Sequence, residues 1–161
     1  MYKINDFVVY NKNVCKVVSI KKNFFNQEDY YLLIPIDDSS LKIEVPISNK
    51  NLRDLISKEE IEKFIKNIPN IPIISMDEKF LENEYKNLLL SGNHYNLVKI
   101  IKTTYLRNQD RISNKKRISD RDQHYFQLAE KYLYNEFSIV LGINSEEVKE
   151  YIKHKIELLA N

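Results

Sequence analysis

Few side chains in this sequence are placed to do chemistry. His94, His124 and His154 recur 30 residues apart, without the short intervals that set two ligands on one metal. Each reads as a surface or helix-cap histidine. Cys15 is the only cysteine, which excludes an internal disulfide and a thiolate zinc site. Flanked by Val14, Val17 and Val18, it reads as a small buried hydrophobe. No serine occupies a nucleophile-elbow setting. The chain has 2 glycines, too few for a phosphate cradle of the P-loop or dinucleotide type. Its acids fall mainly at helix starts, where the macrodipole accounts for them. No catalytic residue, metal, cofactor or small-molecule substrate is expected, and the chemistry must be that of binding.

Charge placement points the same way. The 161 residues carry 25 Lys and Arg against 23 Asp and Glu, a net charge of +2 that does not by itself argue for nucleic acid. Between Lys99 and Lys131, however, stand nine bases (Lys99, Lys102, Arg107, Arg111, Lys115, Lys116, Arg117, Arg121, Lys131). Against them are four acids (Asp110, Asp120, Asp122, Glu130). The densest part, RNQDRISNKKRISDR, leads into a helix start, where cations and unpaired N–H groups could share phosphate oxygens. A solvated loop kept soluble by its bases has the same composition. Phe80 and Tyr85 either fill a core or, facing outward, stack on or wedge beside an unpaired base.

Two halves of different periodicity position these residues. DFVVY (6–10), CKVVSI (15–20), YYLLIPI (30–36) and LKIEV (41–45) read as short antiparallel strands forming a small bent sheet or partial barrel. Asn11 and Asn13 are the expected left-handed residues of the first turn. Along 41–46, Ile43 and Val45 face one side, Lys42 and Glu44 the other. Pro46, with no N–H, ends the pairing or marks a sheet edge. SNKNLRDLI reads as a short turn-rich helix. A capping box of Ser57 and Glu60 opens the next, with Ile61, Phe64, Ile65 and Ile68 on one face.

The prolines of NIPNIPIIS (67–75) mark the boundary. Beyond it lie four helices. Ser75 with Glu78, Asn93, Ser119 with Asp122 and Asn144 with Glu147 open them, and Gly92 and Gly142 close two. Their apolar positions include Leu97, Ile100, Ile101 and Tyr105; Tyr125, Leu128, Leu133 and Phe137; and Val148, Ile152, Ile156 and Leu159. The expected fold is therefore an α+β two-domain chain. Residues 1–70 form the sheet with a terminal helix, 71–76 a linker and 77–161 an all-α bundle. MYKINDFVVYNK has no long apolar core of a leader, and no run approaches the roughly 20 residues that span a bilayer, so a cytoplasmic, membrane-free protein is expected.

FVVY, KIEVP and SKEEIEKFI in this order resemble the polymerase-interacting domain of the CarD/CdnL family of bacterial transcription regulators. Transcription-repair coupling factors carry a similar module. LLLSGNHYNLVKIIKTTYLRNQ and AEKYLYNEFSIVLG resemble the helical half of that family. The resemblance implies a Tudor-like sheet that binds the β subunit of RNA polymerase, and a helical domain on promoter DNA at the upstream edge of the bubble. Such a protein alters open-complex stability and catalyses nothing. Carried over by position, Lys42, Ile43, Glu44, Val45 and Pro46 fall on the polymerase-binding strand. On this reading Lys102, Arg107, Lys115, Lys116, Arg117 and Arg121, picked out by the local basic surplus, supply a phosphate-binding surface, and an aromatic near Phe80 props the edge of the bubble. The chain departs from the family in having Glu44 where an arginine is typical and in lacking tryptophan, with Phe80 the nearest aromatic to the family's groove-inserting residue. A protein adaptor on polymerase without direct DNA contact is the alternative.

Overall fold

The computed structural model describes residues 1–160, with side chains through Leu158. Five antiparallel strands come first: β1 (Phe7–Tyr10), β2 (Asn13–Phe25), β3 (Glu28–Pro35), β4 (Ile43–Pro46) and β5 (Leu52–Arg53). Five helices follow: α1 (Lys58–Asn67), α2 (Glu78–Ser91), α3 (His94–Ser113), α4 (Asp120–Leu141) and α5 (Ser145–Ala160). The layout is α+β. Leu159, expected on the apolar face of the last helix, lies outside the described side chains.

The sheet is open, in the order β4-β3-β2-β1-β5. Alternation dictates its core: Val8, Cys15, Val17, Tyr31, Leu33 and Val45 point to one face and are buried together. The register between β2 and β3 shifts after Val17 and again after Lys21, bulges that bend the long hairpin. At its tip only Asn26 and Gln27 lie between the two strands, both with positive φ (51° and 59°). The connection FFNQED thus shrinks to two residues, because Phe24 and Phe25 continue β2. In the first turn Asn11 is left-handed (φ 56°), but Asn13 is not; it opens β2 opposite Tyr10, and a ladder residue has to be extended.

Residues 48–56 form no helix. Asn49 N–H donates to Pro46 O (3.0 Å) and its side chain accepts from Asn51 N–H (2.8 Å), a turn that delivers Leu52–Arg53 to β1 as the fifth strand. Local helix propensity gives way there to a ladder already formed by β1.

The chain divides by its packing into Met1–Ile56 and Ser57–Asn161. The division falls ahead of the proline segment, because α1 buries Ile61 and Ile65 and packs with α4 and α5. Phe64 meets the rings of His94 and Phe137 edge-on. Residues 68–74 are strapped to α3 in the same unit. Lys102 Nζ donates to the carbonyls of Ile68 (3.0 Å) and Ile71 (2.6 Å), and Ile74 N–H donates to Thr103 Oγ1 (2.8 Å). Ser57, Asn93 and Ser119 accept from first-turn N–H groups as N-caps, and Asn144 accepts from Glu147 N–H. Gly92 and Gly142 end their helices at φ 61° and 69°. Ser75 does not cap α2. Asp77 holds that position without a side-chain bond, and Glu78 turns instead to arginines of α3 and α4.

Candidate functional site

Two surfaces collect the residues singled out by sequence, one on each unit. On the sheet, β4 is an edge strand whose ladder lies on β3 alone. Ile47 N–H donates to Asp29 O (3.1 Å), and the two-residue period then aims the main-chain groups of Ile43 and Val45 at β3. Those of Glu44 and Pro46 point outward. Pro46 accordingly sits where its missing N–H breaks no ladder bond. Val45 is buried and Ile43 partly so, while Lys42 and Glu44 are exposed. Glu44 reaches across β3 to an ion pair with Lys21. Lys21 also lies over the Phe24 ring (4.6 Å), and Phe24 meets Tyr30 edge-on. The edge offers one full residue of hydrogen-bonding groups, at Glu44, beside a face that mixes charge with aromatic surface.

On the helical unit, Asp122 in the first turn of α4 has no solvent exposure. It accepts from Tyr85 OH of α2 (3.0 Å) and from Arg107 Nε of α3 (2.8 Å). Burial first, then the Asp122 charge and hydrogen bond, push the Tyr85 hydroxyl well above the usual tyrosine range. Arg107 Nη2 (3.0 Å), Arg111 Nη2 (3.4 Å) and Arg121 Nη2 (3.6 Å) all converge on one oxygen of Glu78. Arg107 and Arg121 are therefore engaged by acids of their own unit, and Lys102 is held by the carbonyls of the 68–74 strap. Three of the six expected phosphate ligands serve the fold first.

Lys115, Lys116 and Arg117 are exposed in the connection from α3 to α4. Lys115 is left-handed (φ 58°), and Lys116 N–H returns to Arg111 O (2.8 Å), which holds the turn tight. The α4 start it leads into carries Asp120 and Asp122, and the Ser119 side chain takes an N–H there. That helix end is a weaker phosphate seat than the basic run alone implied. Phe80 is 53% exposed on α2 with Lys79 Nζ over its ring (5.0 Å), whereas Tyr85 is core.

Sequence reading missed an open groove of about 290 Å³ lined in part by Tyr105, Ile112, Ile118 and Phe126, beside the basic turn. Tyr105, assigned to an apolar face, is half exposed and its ring stands 6.4 Å from Phe126 at 30°. Its signal was one of position: the buried residues of α3 are Leu97, Val98, Ile100, Thr103, Thr104 and Asn108, and Tyr105 follows Thr104 outside that set. The partners of Asp122 and Glu78 carried no local signal at all.

His94 at the start of α3 pairs with Glu136 (2.7 Å), a nearly buried carboxylate. Cys15 is buried, which pushes its thiol up to about 12 and leaves it an inert packing residue. Among the described residues no cluster of three His, Cys, Asp or Glu is placed to hold a metal, and no helix is long and apolar enough to cross a membrane. No protein-family model and no curated protein sequence matches the chain.

Proposed function

We propose that the chain is a non-catalytic, cytoplasmic transcription regulator. Its Tudor-like sheet docks on the β subunit of RNA polymerase, and its helical unit touches promoter DNA near the upstream edge of the bubble. The observation that carries this reading is the open edge of β4, with the main-chain groups of Glu44 turned outward and Pro46 limiting its length. A visiting strand gains generic hydrogen bonds from such an edge, while Lys42, Glu44 and their neighbours select it. Of the six expected bases, Lys115, Lys116 and Arg117 stand exposed and meet phosphate without displacing an internal partner, with Phe80 the exposed aromatic at the start of α2. DNA contact by three cations is weak in isolation, and tethering to polymerase supplies the local concentration. Open-complex occupancy then shifts only by the difference in affinity for melted and closed DNA. Coupling of about 1–3 kcal/mol changes it about 5- to 150-fold.

The engagement of Lys102, Arg107 and Arg121 inside their own unit favours a second reading, a protein adaptor that rides on polymerase without touching DNA. Two measurements separate these. Glu44→Pro removes the outward N–H and Glu44→Ala only the side chain. Strand addition predicts that the full-length proline variant loses capture of purified polymerase while the alanine variant keeps most of it. Equal capture by both, at the wild-type level, removes the docking edge. Fork-junction DNA binding that falls steeply with salt supports direct contact, and a flat response leaves the adaptor.

A further inference from the structure

Three guanidinium groups from two helices share a single carboxylate oxygen at the start of α2. Arg107, Arg111 and Arg121 bring Nη2 atoms within 3.0, 3.4 and 3.6 Å of Glu78 Oε1, although Glu78 is 60% exposed. The arrangement is lopsided. Each arginine presents five donors in a fixed fork, and one carboxylate oxygen uses a small part of them. Arg121 Nε is buried without a hydrogen bond, 3.6 Å from Asp122 Oδ1. Beside this cluster lies a polar cavity of about 190 Å³ lined by Glu78, Arg107, Asp110, Arg111 and Lys116.

With Arg121 counted among the groups around Glu78, four cations (Arg107, Arg111, Lys116 and Arg121) face three acids, Glu78, Asp110 and the buried Asp122. Asp122 fixes Arg107 through Nε and leaves its Nη2 edge directed at Glu78, so the fork is pre-aimed by a charge that solvent cannot reach. Contacts to so exposed a carboxylate are individually weak, and a tetrahedral anion with several acceptor oxygens satisfies more of the same donors. We propose that this cavity takes a phosphate group and that Glu78 is the internal occupant it displaces. Glu78 then acts as a gate on the phosphate-binding surface, and as the first residue of α2, behind an Asp77 cap position that carries no side-chain bond, it is not tied into a capping box. A free phosphate and a phosphodiester of a nucleic-acid backbone present the same oxygens. The second source rests on the reading of the helical unit as a DNA contact; the first does not.

Full-length wild type, Glu78→Gln and Asp77→Asn are titrated with inorganic phosphate at constant ionic strength, following the arginine side-chain N–H signals. Asp77 is the neighbouring residue and makes no side-chain cap bond, so its variant carries the same charge change without the contact. Glu78→Gln is expected to bind phosphate about 5- to 10-fold tighter than wild type and Asp77→Asn less than about 2-fold tighter. Adding Arg111→Gln to Glu78→Gln removes the gain. Equal gains in the two single variants, or no arginine shift in any, overturn the proposal. The same variants are then tested with fork-junction DNA. A matching gain supports the phosphodiester source. A gain with inorganic phosphate alone supports the cavity and overturns nucleic acid as its ligand, without bearing on polymerase capture by the sheet.

Discussion

Arg107 Nε donates to Asp122 Oδ2 across 2.8 Å, a charge-assisted bond to a carboxylate with no solvent exposure. With Tyr85 on the other oxygen, one side chain of α4 ties α2 and α3 to itself. Removing a partner from a buried ion pair leaves a charge that the interior cannot solvate. Arg107→Ala is therefore expected to cost about 3 kcal/mol and Tyr85→Phe about 1–2 kcal/mol. The double variant should lose less than the sum, because both singles strand the same carboxylate. Urea unfolding midpoints of the four proteins measure this. An Arg107→Ala protein as stable as wild type would show that water already relieves the charge.

The bases of this region divide into those that hold the fold and those that face solvent. Lys102→Met strands the carbonyls of Ile68 and Ile71 and should cost about 1–3 kcal/mol, with faster hydrogen exchange over 68–74. It should leave the salt dependence of fork-junction DNA binding unchanged. Reversing Lys115, Lys116 and Arg117 to glutamate should do the opposite, sparing stability within about 0.5 kcal/mol. The slope of log affinity against log salt should fall by roughly 2–3 if each base meets one phosphate. A Lys102→Met variant that flattens the slope would assign that lysine to DNA.

Much of this fold is carried by short-range chemistry, and for that reason the sequence announces it. Val45 and Ile43 alternate with Glu44 because a strand has a period of two, and Pro46 is tolerable only at an edge. Asn93, Ser119, Gly92 and Gly142 act within four residues of their own positions. What was hidden depends on partners far along the chain. Leu52–Arg53 become a strand because β1 has a free side, and Glu78 abandons its cap because arginines 29, 33 and 43 residues later surround it. Lys102 and Arg121 look like surface bases until the groups facing them are known. Total charge locates a basic region, but only packing decides which of its members remain available.

The hairpin tip carries a local cost that a single substitution can remove. Gln27 holds φ at 59° next to Asn26 at 51°, the paired left-handed geometry that two-residue hairpins require. Asparagine accepts it and glutamine does so poorly. Gln27→Gly should stabilise the sheet by about 0.5–1 kcal/mol without altering any contact. Thermal unfolding reads the gain, and a loss of stability would mean that the Gln27 side chain is held by something other than its turn.

Tyr151 of α5 donates to a carboxylate oxygen of Glu62 on α1, and each shifts the other. Burial, followed by the Glu62 bond and charge, pushes Tyr151 up to about 12. The Tyr151 bond, assisted by Lys155, holds Glu62 below the usual carboxylate range. A tyrosine whose folded pKa is raised stabilises the fold fully below its unfolded value near ~10 and loses that contribution as pH rises through 12. A glutamate whose folded pKa is lowered stabilises above its unfolded value near ~4.3 and loses that contribution as pH falls through the folded one. Helicity should accordingly resist urea best between about pH 5 and 10. Tyr151→Phe should lower that plateau by about 1 kcal/mol, a modest figure because the pair is partly exposed. It should also make the alkaline loss between pH 10 and 12 shallower without abolishing it, since burial raises Tyr85 and Tyr134 as well. An unchanged slope on both flanks would mean that α1 and α5 are not coupled through this bond.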